Sequence, residues 1–468
     1  MSLSVINDTD RSHSTSSTQS VKSEIDHTDP ASKPQSQLQP QSPSDNAPCQ
    51  FSAFYRWFIL FIIALQGFLG PLSSSIYIPA IYRVKKDFNV STTGINATIS
   101  IYIYILGVAP MIWAVISERH SRRRVYIIST AMYVVSTLGC AASKSIGLFV
   151  TMRIFQAAGA SAAQAVGAGT IIDLFQVHDR GKAMGLFFLG PLVGPVIGPI
   201  AGGYISQYFH WRDIFWSLAA VGGFVLLLMI CFLPETGTRS VKIDESAIKA
   251  MLRPLSFLLE KIVVLASIPY AIAFGFMYFV IASLSHELIT RYHFTSSQVG
   301  LAYLANGTGN AIGAMVSGKC ADWILRRNSD QRSYVIEHRL SVTWLGVVLL
   351  CAGELMYGWC VQLQLSVVAV LAGLFLLGLG VGIIQTPSNT YVMDAYEGHA
   401  ASAMSASNLM RCTWAGCTPL MAPFMLHRMG NGWSLTVIAS VSALSGICIF
   451  LVQHFGHRWR NAKCHPLP

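Results

Sequence analysis

The sequence predicts an all-α integral membrane protein, with twelve transmembrane helices in two sets of six. Three observations predict it. Hydrophobic residues make up 53% of the chain and charged residues only 12%, against roughly 25% charged in soluble domains. Apolar runs of about 20 residues, enough to cross a bilayer, recur from Tyr55 onward between short polar breaks. Lysine and arginine gather in alternate breaks: with both termini inside, nineteen fall on the cytoplasmic side and seven outside. The formal net charge of +10 therefore reports topology rather than nucleic-acid binding, because the basic residues sit in short clusters between apolar runs.

Residues 1–50 are rich in Ser, Thr, Gln, Asp and Pro and carry almost no large apolar residue. They cannot bury enough surface to fold, so a disordered cytoplasmic tail is expected, with no cleavable signal peptide. Spans are predicted near 55–80, 95–117, 124–143, 147–173, 183–207, 214–233, 262–285, 298–320, 340–361, 365–393, 402–425 and 434–455. The longest break divides an amino-terminal six-helix bundle, 51–235, from a carboxyl-terminal one, 261–456, with a central cytoplasmic loop at 236–260. A basic cytoplasmic tail, 457–468, closes the chain. The sequon at Asn89 falls in an outside loop, whereas that at Asn306 falls within a span and is expected to stay bare. The ten cysteines are scattered and form neither a CxxC pair nor a Cys/His ligand set, so no metal, disulfide framework or cofactor is expected.

The first span ends in Ser73, Ser74 and Ser75, followed by Tyr77 and Pro79. Three hydroxyls facing lipid are costly, so they are expected to face the interior. Between spans two and three, Glu118, Arg119, Arg122 and Arg123 form a compact charged turn, readable as a positive-inside anchor. Gly318 and Asp322, followed by Arg326 and Arg327, repeat part of that pattern in the second half, as internally duplicated transporters do. In span four, Arg153, Gln156, Ala160 and Gln164 share one helical stripe, and Asp173 closes the span. An arginine inside a membrane helix costs at least about 2.5 kcal/mol, so it faces a cavity or partner, or snorkels to the surface. Span five reads GPLVGPVIGPIAGGYI. Its glycines, Gly190, Gly194, Gly198, Gly202 and Gly203, leave one face almost free of side chains, so another backbone can approach. Pro191, Pro195 and Pro199 each delete a hydrogen bond that neighbouring spans re-satisfy.

In the second half, Tyr270, Phe274 and Tyr278 form an aromatic stripe, and Glu287 is placed to pair with Arg291. Asn306 and Asn310 lie beside glycines, facing either a cavity or another helix. Glu354 is a lone carboxyl at membrane depth and a proton-site candidate. Span ten breaks at Gln385 and Pro387 and ends at Asp394. In span eleven Arg411 shares a stripe with Ser407, Asn408 and Thr418, running back to Met404. The expected substrate-binding set is Arg153, Gln156, Asn306, Gln385, Asn408 and Arg411. The expected proton-coupling set is Asp173, Glu354 and Asp394.

GPLVGPVIGPIAGG resembles the fifth-span antiporter motif of the major facilitator superfamily, in the form found in twelve-span drug:proton antiporters. The charged turn is similar to that family's GxxxDRxGRR, with Ala114 and Ser121 replacing the glycines and Glu118 the aspartate, and the resemblance implies a conformational latch beside the positive-inside anchor. Arg153 and Gln156 resemble its RxxQGxG. GPLSSSIYIPAIYRV and the NLMR of span eleven are closest to the fungal citrate-exporter and quinidine-resistance branch. The resemblance spans nearly all of 55–460 and implies two pseudo-symmetric six-helix bundles around a cavity that opens alternately to either side. It also implies export driven by inward proton flow. Because Arg153 and Arg411 suit a carboxylate, the expected cargo is a small organic acid or acidic metabolite. The alternative is broad export of neutral or cationic drugs. A transporter-like sensor usually carries long cytoplasmic extensions, and an enzyme or ATP-driven pump would show an HExxH or GxxxxGK[ST] motif. A monomer with cytoplasmic termini, embedded in the plasma membrane and coupling small-molecule substrate to protons, is therefore expected.

Overall fold

The computed structural model describes residues 51–175, 177–235, 254–328, 336–396 and 400–464. The predicted tail 1–50, most of the central loop 236–260 and the last residues of the tail 457–468 lie outside the described residues. The chain begins with α1 (Ala53–Ser75), a 3-10 turn (Ile78–Ala80) and α2 (Ile81–Phe88). It continues through α3 (Thr92–Arg119), α4 (Arg122–Ala142), α5 (Ile146–Leu174), α6 (Val177–Tyr208) and α7 (Arg212–Phe232). The second half opens with α8 (Lys261–Tyr292) and α9 (Ser296–Asn328). A 3-10 turn (Ile336–Leu340) then leads into α10 (Ser341–Gln362), α11 (Val367–Ala395), α12 (Ala400–Leu444) and α13 (Gly446–Cys464).

Nine stretches among the described residues have the length and hydropathy of a bilayer crossing, and the last of them, Ser402–Arg460, is long enough for two. It turns at Gly430, whose φ of 74° divides α12 into the arms expected as spans eleven and twelve. Only glycine holds that angle cheaply, and the Gln362 side chain accepts the Gly432 N–H beside it. The fifth and eighth expected spans are the long helices α6 and α9. Val135, Phe224, Val368 and Leu444 are each more than half exposed, a distribution suited to lipid rather than water.

Serines start four of the helices. Ser52, Ser91, Ser121 and Ser145 each accept the backbone N–H three residues on, satisfying a donor that the helix itself cannot. Asn89 closes α2 in the left-handed conformation and is exposed, whereas Asn306 is buried within α9. Ser73, Ser74 and Ser75 are buried as expected: Ser73 shares a hydrogen bond with Tyr133, and Ser75 donates to the Leu72 and Gly194 carbonyls.

The glycine stripe of α6 faces α1. A Cβ added at Gly190 would lie 2.6 Å from the Ala64 carbonyl oxygen, and one at Gly202 would lie 1.6 Å from that of Ile76. Gly203 turns to the other half instead, where an added Cβ would stand 2.6 Å from the Ser296 carbonyl oxygen and 3.2 Å from the Gly300 Cα. The halves meet along α6 with α9 and α3 with α12. Among the described residues, the hydrogen bonds between halves fall at the end of the helices away from Ala53, here termed the far end. Asn96 donates to the Pro419 carbonyl at 3.0 Å, the Ser297 N–H to Gln207 at 3.0 Å, and Ser285 to the Ile78 carbonyl at 3.3 Å.

Trp211 precedes α7 at a span boundary, where tryptophan is ordinarily an interface anchor. It is buried, packs edge-on against Phe149 and Phe215, and donates its indole N–H to Asp87, which also holds Arg212 at 2.7 Å. An indole with a carboxylate acceptor is satisfied inside the protein and has no need of the headgroup region.

Candidate functional site

Arg153 is fully buried, so it neither snorkels nor meets solvent in this conformation. Its Nη1 donates to the Ser73 carbonyl at 3.0 Å and to Gln156 Oε1 at 2.9 Å. Gln156 is itself fixed by donating to Thr137 at 2.8 Å. The guanidinium lies 4.3 Å from the Tyr77 ring centre and 4.5 Å from that of Tyr102, with Phe215 and Phe149 farther out. Nε and Nη2 have no hydrogen-bond acceptor among the described residues. Aromatic faces supply the negative potential that a carboxylate would otherwise provide. The cage draws on α1, α3, α5 and α7 together with the turn after α1, which the kink at Tyr77 brings inward.

Arg411 is arranged differently. It sits on α12, half-buried, with its guanidinium 4.2 Å from the Phe274 ring centre and 5.6 Å from that of Tyr270, both on α8. Its Nη2 donates to Asn408 Oδ1 one turn earlier. The next residue, Cys412, fills the space over Gly107 of α3. Helix α3 therefore touches both arginine sites, through Tyr102 and through Gly107. No carboxylate among the described residues pairs with either arginine.

Two of the three expected proton carriers are held in ion pairs. Asp173, closing α5, meets Arg122 at the start of α4 at 2.9 Å. Asp394, near the end of α11, meets Arg339 in the turn before α10 at 2.7 Å. The pairs occupy equivalent points in the two sets, each arginine opening the third crossing and each aspartate ending the fourth. Glu354 is fully buried on α10, where Ser442 in the second arm of α12 donates to it at 3.0 Å, and its Oε2 has no partner among the described residues. A double-mutant cycle of Arg122→Ala and Asp173→Ala, read by thermal unfolding of the purified protein, is expected to give a coupling of about 1 kcal/mol for such a partly buried pair.

Among the remaining expected residues, Arg123 donates to the Ile230 carbonyl at 2.8 Å and ties α4 to α7. The side chains of Glu118, Arg119 and Asp322 lie outside the described residues. Asn306 is buried where α9 crosses Gly378 of α11, so it is not brought together with the arginines. Gly318 faces Thr386 in the same seam, and Gln385 is half-buried on α11. Glu287 and Arg291 pair at 2.6 Å as expected.

Sequence reasoning missed the aromatic partners of Arg153, Tyr102, Phe149 and Phe215 above all, which lie on three different helices. It also missed Glu337, a buried carboxylate that meets Arg460 at 3.5 Å and Tyr391. Beyond the end of α11, burial and the neighbouring Glu260 push the Tyr396 hydroxyl up to about 12, so it remains a donor to Glu260 at physiological pH. A far-end cleft of about 290 Å3, lined by Pro79, Tyr82, Arg83, Gln207, Phe294 and Ser296 among others, holds none of the expected site residues.

The family model described as the Major Facilitator Superfamily matches residues 63–419. The chain is 30% identical over 456 residues to the efflux pump radE of Floropilus chiversii, covering 91% of this chain and 84% of that one. It is 33% identical over 433 residues to the MFS transporter cpaT of Aspergillus oryzae, covering 86% and 87% of the two chains. The multidrug transporter DTR1 of Candida glabrata is 30% identical over 465 residues, with 87% and 86% covered. Among solved structures, an inward-facing, unoccupied bacterial homolog of the human lysosomal transporter Spinster matches with a TM-score of 0.67 at 13% identity, over 88% of this chain and 99% of that one. The xylose transporter XylE from E. coli, in a partially occluded inward-open conformation, matches with a TM-score of 0.63 at 15% identity, over 86% and 98%. At such identities the structural likeness establishes the fold, and the match across 63–419 establishes that this chain belongs to the major facilitator superfamily of membrane transporters.

Proposed function

We propose that this chain exports a small organic acid or acidic metabolite in exchange for protons. The observation that carries the reading is Arg411, half-buried and neutralised by no carboxylate among the described residues. An uncompensated cation in a low-dielectric interior is costly unless its substrate supplies the charge, and a guanidinium takes a carboxylate through two parallel hydrogen bonds. The finer resemblance to the citrate-exporter branch, carried by GPLSSSIYIPAIYRV and NLMR, agrees with this choice. With the termini in the cytoplasm, the far end where the three inter-half hydrogen bonds lie is the outer one. A monomer of two six-helix bundles, 51–235 and 261–456, in the plasma membrane completes the reading. The Arg122–Asp173 and Arg339–Asp394 pairs then brace the cytoplasmic end of each bundle, and Glu354 carries the proton.

Efflux of labelled citrate from cells overproducing the protein, with the pH gradient intact and collapsed, tests the proposal. Gradient-dependent efflux that Arg411→Ala removes is the expected result. Glu354→Gln keeps the shape and the Ser442 contact but has no titrating proton. It is expected to stop gradient-driven accumulation while leaving substrate-for-substrate exchange in proteoliposomes within about twofold of wild type. The second reading, a broad drug antiporter, is favoured by the likeness to a multidrug transporter. Reduced accumulation of a hydrophobic dye, with no citrate efflux, would replace the first reading with the second.

A further inference from the structure

We infer that the two arginines have separate roles: Arg411 contacts the substrate and selects flat, conjugated carboxylates, while Arg153 is a positioning residue. The inference rests on the acid-export reading above and narrows it to a substrate class. Arg153 is enclosed by four aromatic rings and has no exposed surface, so cargo entering this conformation cannot reach it. Arg411 is half-buried, and so is Phe274, over whose ring its guanidinium lies. Asn408 accepts one Nη2 N–H and the Tyr270 hydroxyl is a second partner, which leaves further N–H donors of the guanidinium for a carboxylate.

Geometry then restricts what is attached to that carboxylate. A bidentate pair holds the carboxylate in the plane of the guanidinium. In a conjugated acid the ring shares the carboxylate plane, so it continues the layer that the guanidinium makes over half-buried Phe274 and meets the neighbouring rings of the aromatic stripe, tilted by 61° and 56° to Phe274, at their edges. That stripe runs from Tyr270 through Phe274 to Tyr278, with centre-to-centre spacings of 5.8 and 5.0 Å. A saturated acid puckers out of the layer and loses this contact. Met404, half-buried two helical turns before Arg411 on the same face of α12, offers a deformable apolar edge for rings of different size.

The test uses the purified full chain in proteoliposomes with an imposed pH gradient and three labelled probes: 2-naphthoate, cyclohexanecarboxylate and rhodamine 6G. The expected result is a KM for 2-naphthoate about tenfold or more below that for cyclohexanecarboxylate. Phe274→Leu should remove this preference while both acids are still carried. Arg411→Lys, which keeps the charge but loses the planar fork, should raise the 2-naphthoate KM about tenfold or more. Arg153→Lys should lower kcat and the unfolding temperature with KM within about twofold of wild type. Equal KM values for the two acids would overturn the substrate class and leave acid export standing. A 2-naphthoate KM unmoved by Arg411→Lys, or raised mainly by Arg153→Lys, would overturn the division of roles. Rhodamine transport without either acid would overturn the acid-export reading itself.

Discussion

Replacing Gly202 with alanine is expected to abolish transport and to lower the yield of folded protein sharply. The added Cβ would stand 1.6 Å from the Ile76 carbonyl oxygen. No rotamer relieves that clash, because both atoms are fixed to backbone. Either α6 must move away from α1, or the segment after α1 must shift. Overpacking a tight site typically costs about 1–3 kcal/mol when side chains can yield, and here the yielding part would be main chain. The displaced segment leads directly into Tyr77, which covers Arg153, and Ile78, whose carbonyl accepts Ser285 from the other half. Separation of α6 from α1 therefore disturbs both the cage and the far-end seal. Gly185 supplies the control within the same helix. An added Cβ there meets nothing within 4 Å, so Gly185→Ala should be neutral or raise helix stability by about 1 kcal/mol. Fluorescence-detected size exclusion and thermal unfolding of the two variants, followed by transport, check the contrast.

Periodicity and composition made the helical fold readable because each crossing is a local property. About 20 apolar residues, a serine cap and basic flanks specify it without reference to the other helices. The glycine repeat at 190–203 was legible for the same reason: a four-residue period puts every glycine on one face whatever that face meets. Which helix fills the groove is tertiary information, and the stripe proved to divide between α1 and, through Gly203, α9. The candidate site was legible in its charges and illegible in its partners. Arg153 and Arg411 stood out because arginine is costly in lipid. The rings that hold Arg153 are distributed over 77–215, and no spacing in the sequence links Tyr102 to Phe215. Phe274 was visible as part of a stripe, yet core packing and a cation shelf give the same helical period. Asp173 and Asp394 drew attention as carboxyls near the membrane. Their arginines lie some fifty residues earlier in each half, and only folding brings α4 to α5 and α10 to α11 in the register that joins them. Gln66, buried and donating to Ser129 at 3.0 Å and Thr130 at 2.9 Å, was overlooked because a single amide in an apolar run carries no periodic signal.

Arg153→Leu is expected to destabilise the protein by on the order of 3 kcal/mol and to leave little transport activity. Leucine matches the apolar surroundings, so the loss comes from the groups left behind. The Ser73 carbonyl and Gln156 Oε1 each lose a charge-assisted donor in a site that water cannot enter. A buried acceptor left unmade costs about 1–3 kcal/mol, and desolvated ring contacts to a guanidinium contribute about 2 kcal/mol or more. Against this, leucine removes the cost of burying a cation, which is why the expected value is smaller than the sum. Arg153→Lys separates geometry from charge: the ammonium keeps the charge but cannot lie flat between Tyr77 and Tyr102 while reaching both oxygens. Both variants should therefore unfold at lower temperature, with the lysine form between leucine and wild type. A lysine variant that unfolds like wild type would show that the cage needs only a positive charge, and the aromatic geometry would then carry no stability. The same comparison bears on conformational change, because the cage joins α1, α3, α5 and α7 at one point. A loosened cage should let these helices move independently, and hydrogen exchange along α3 should rise in Arg153→Leu before it rises in α10 or α11.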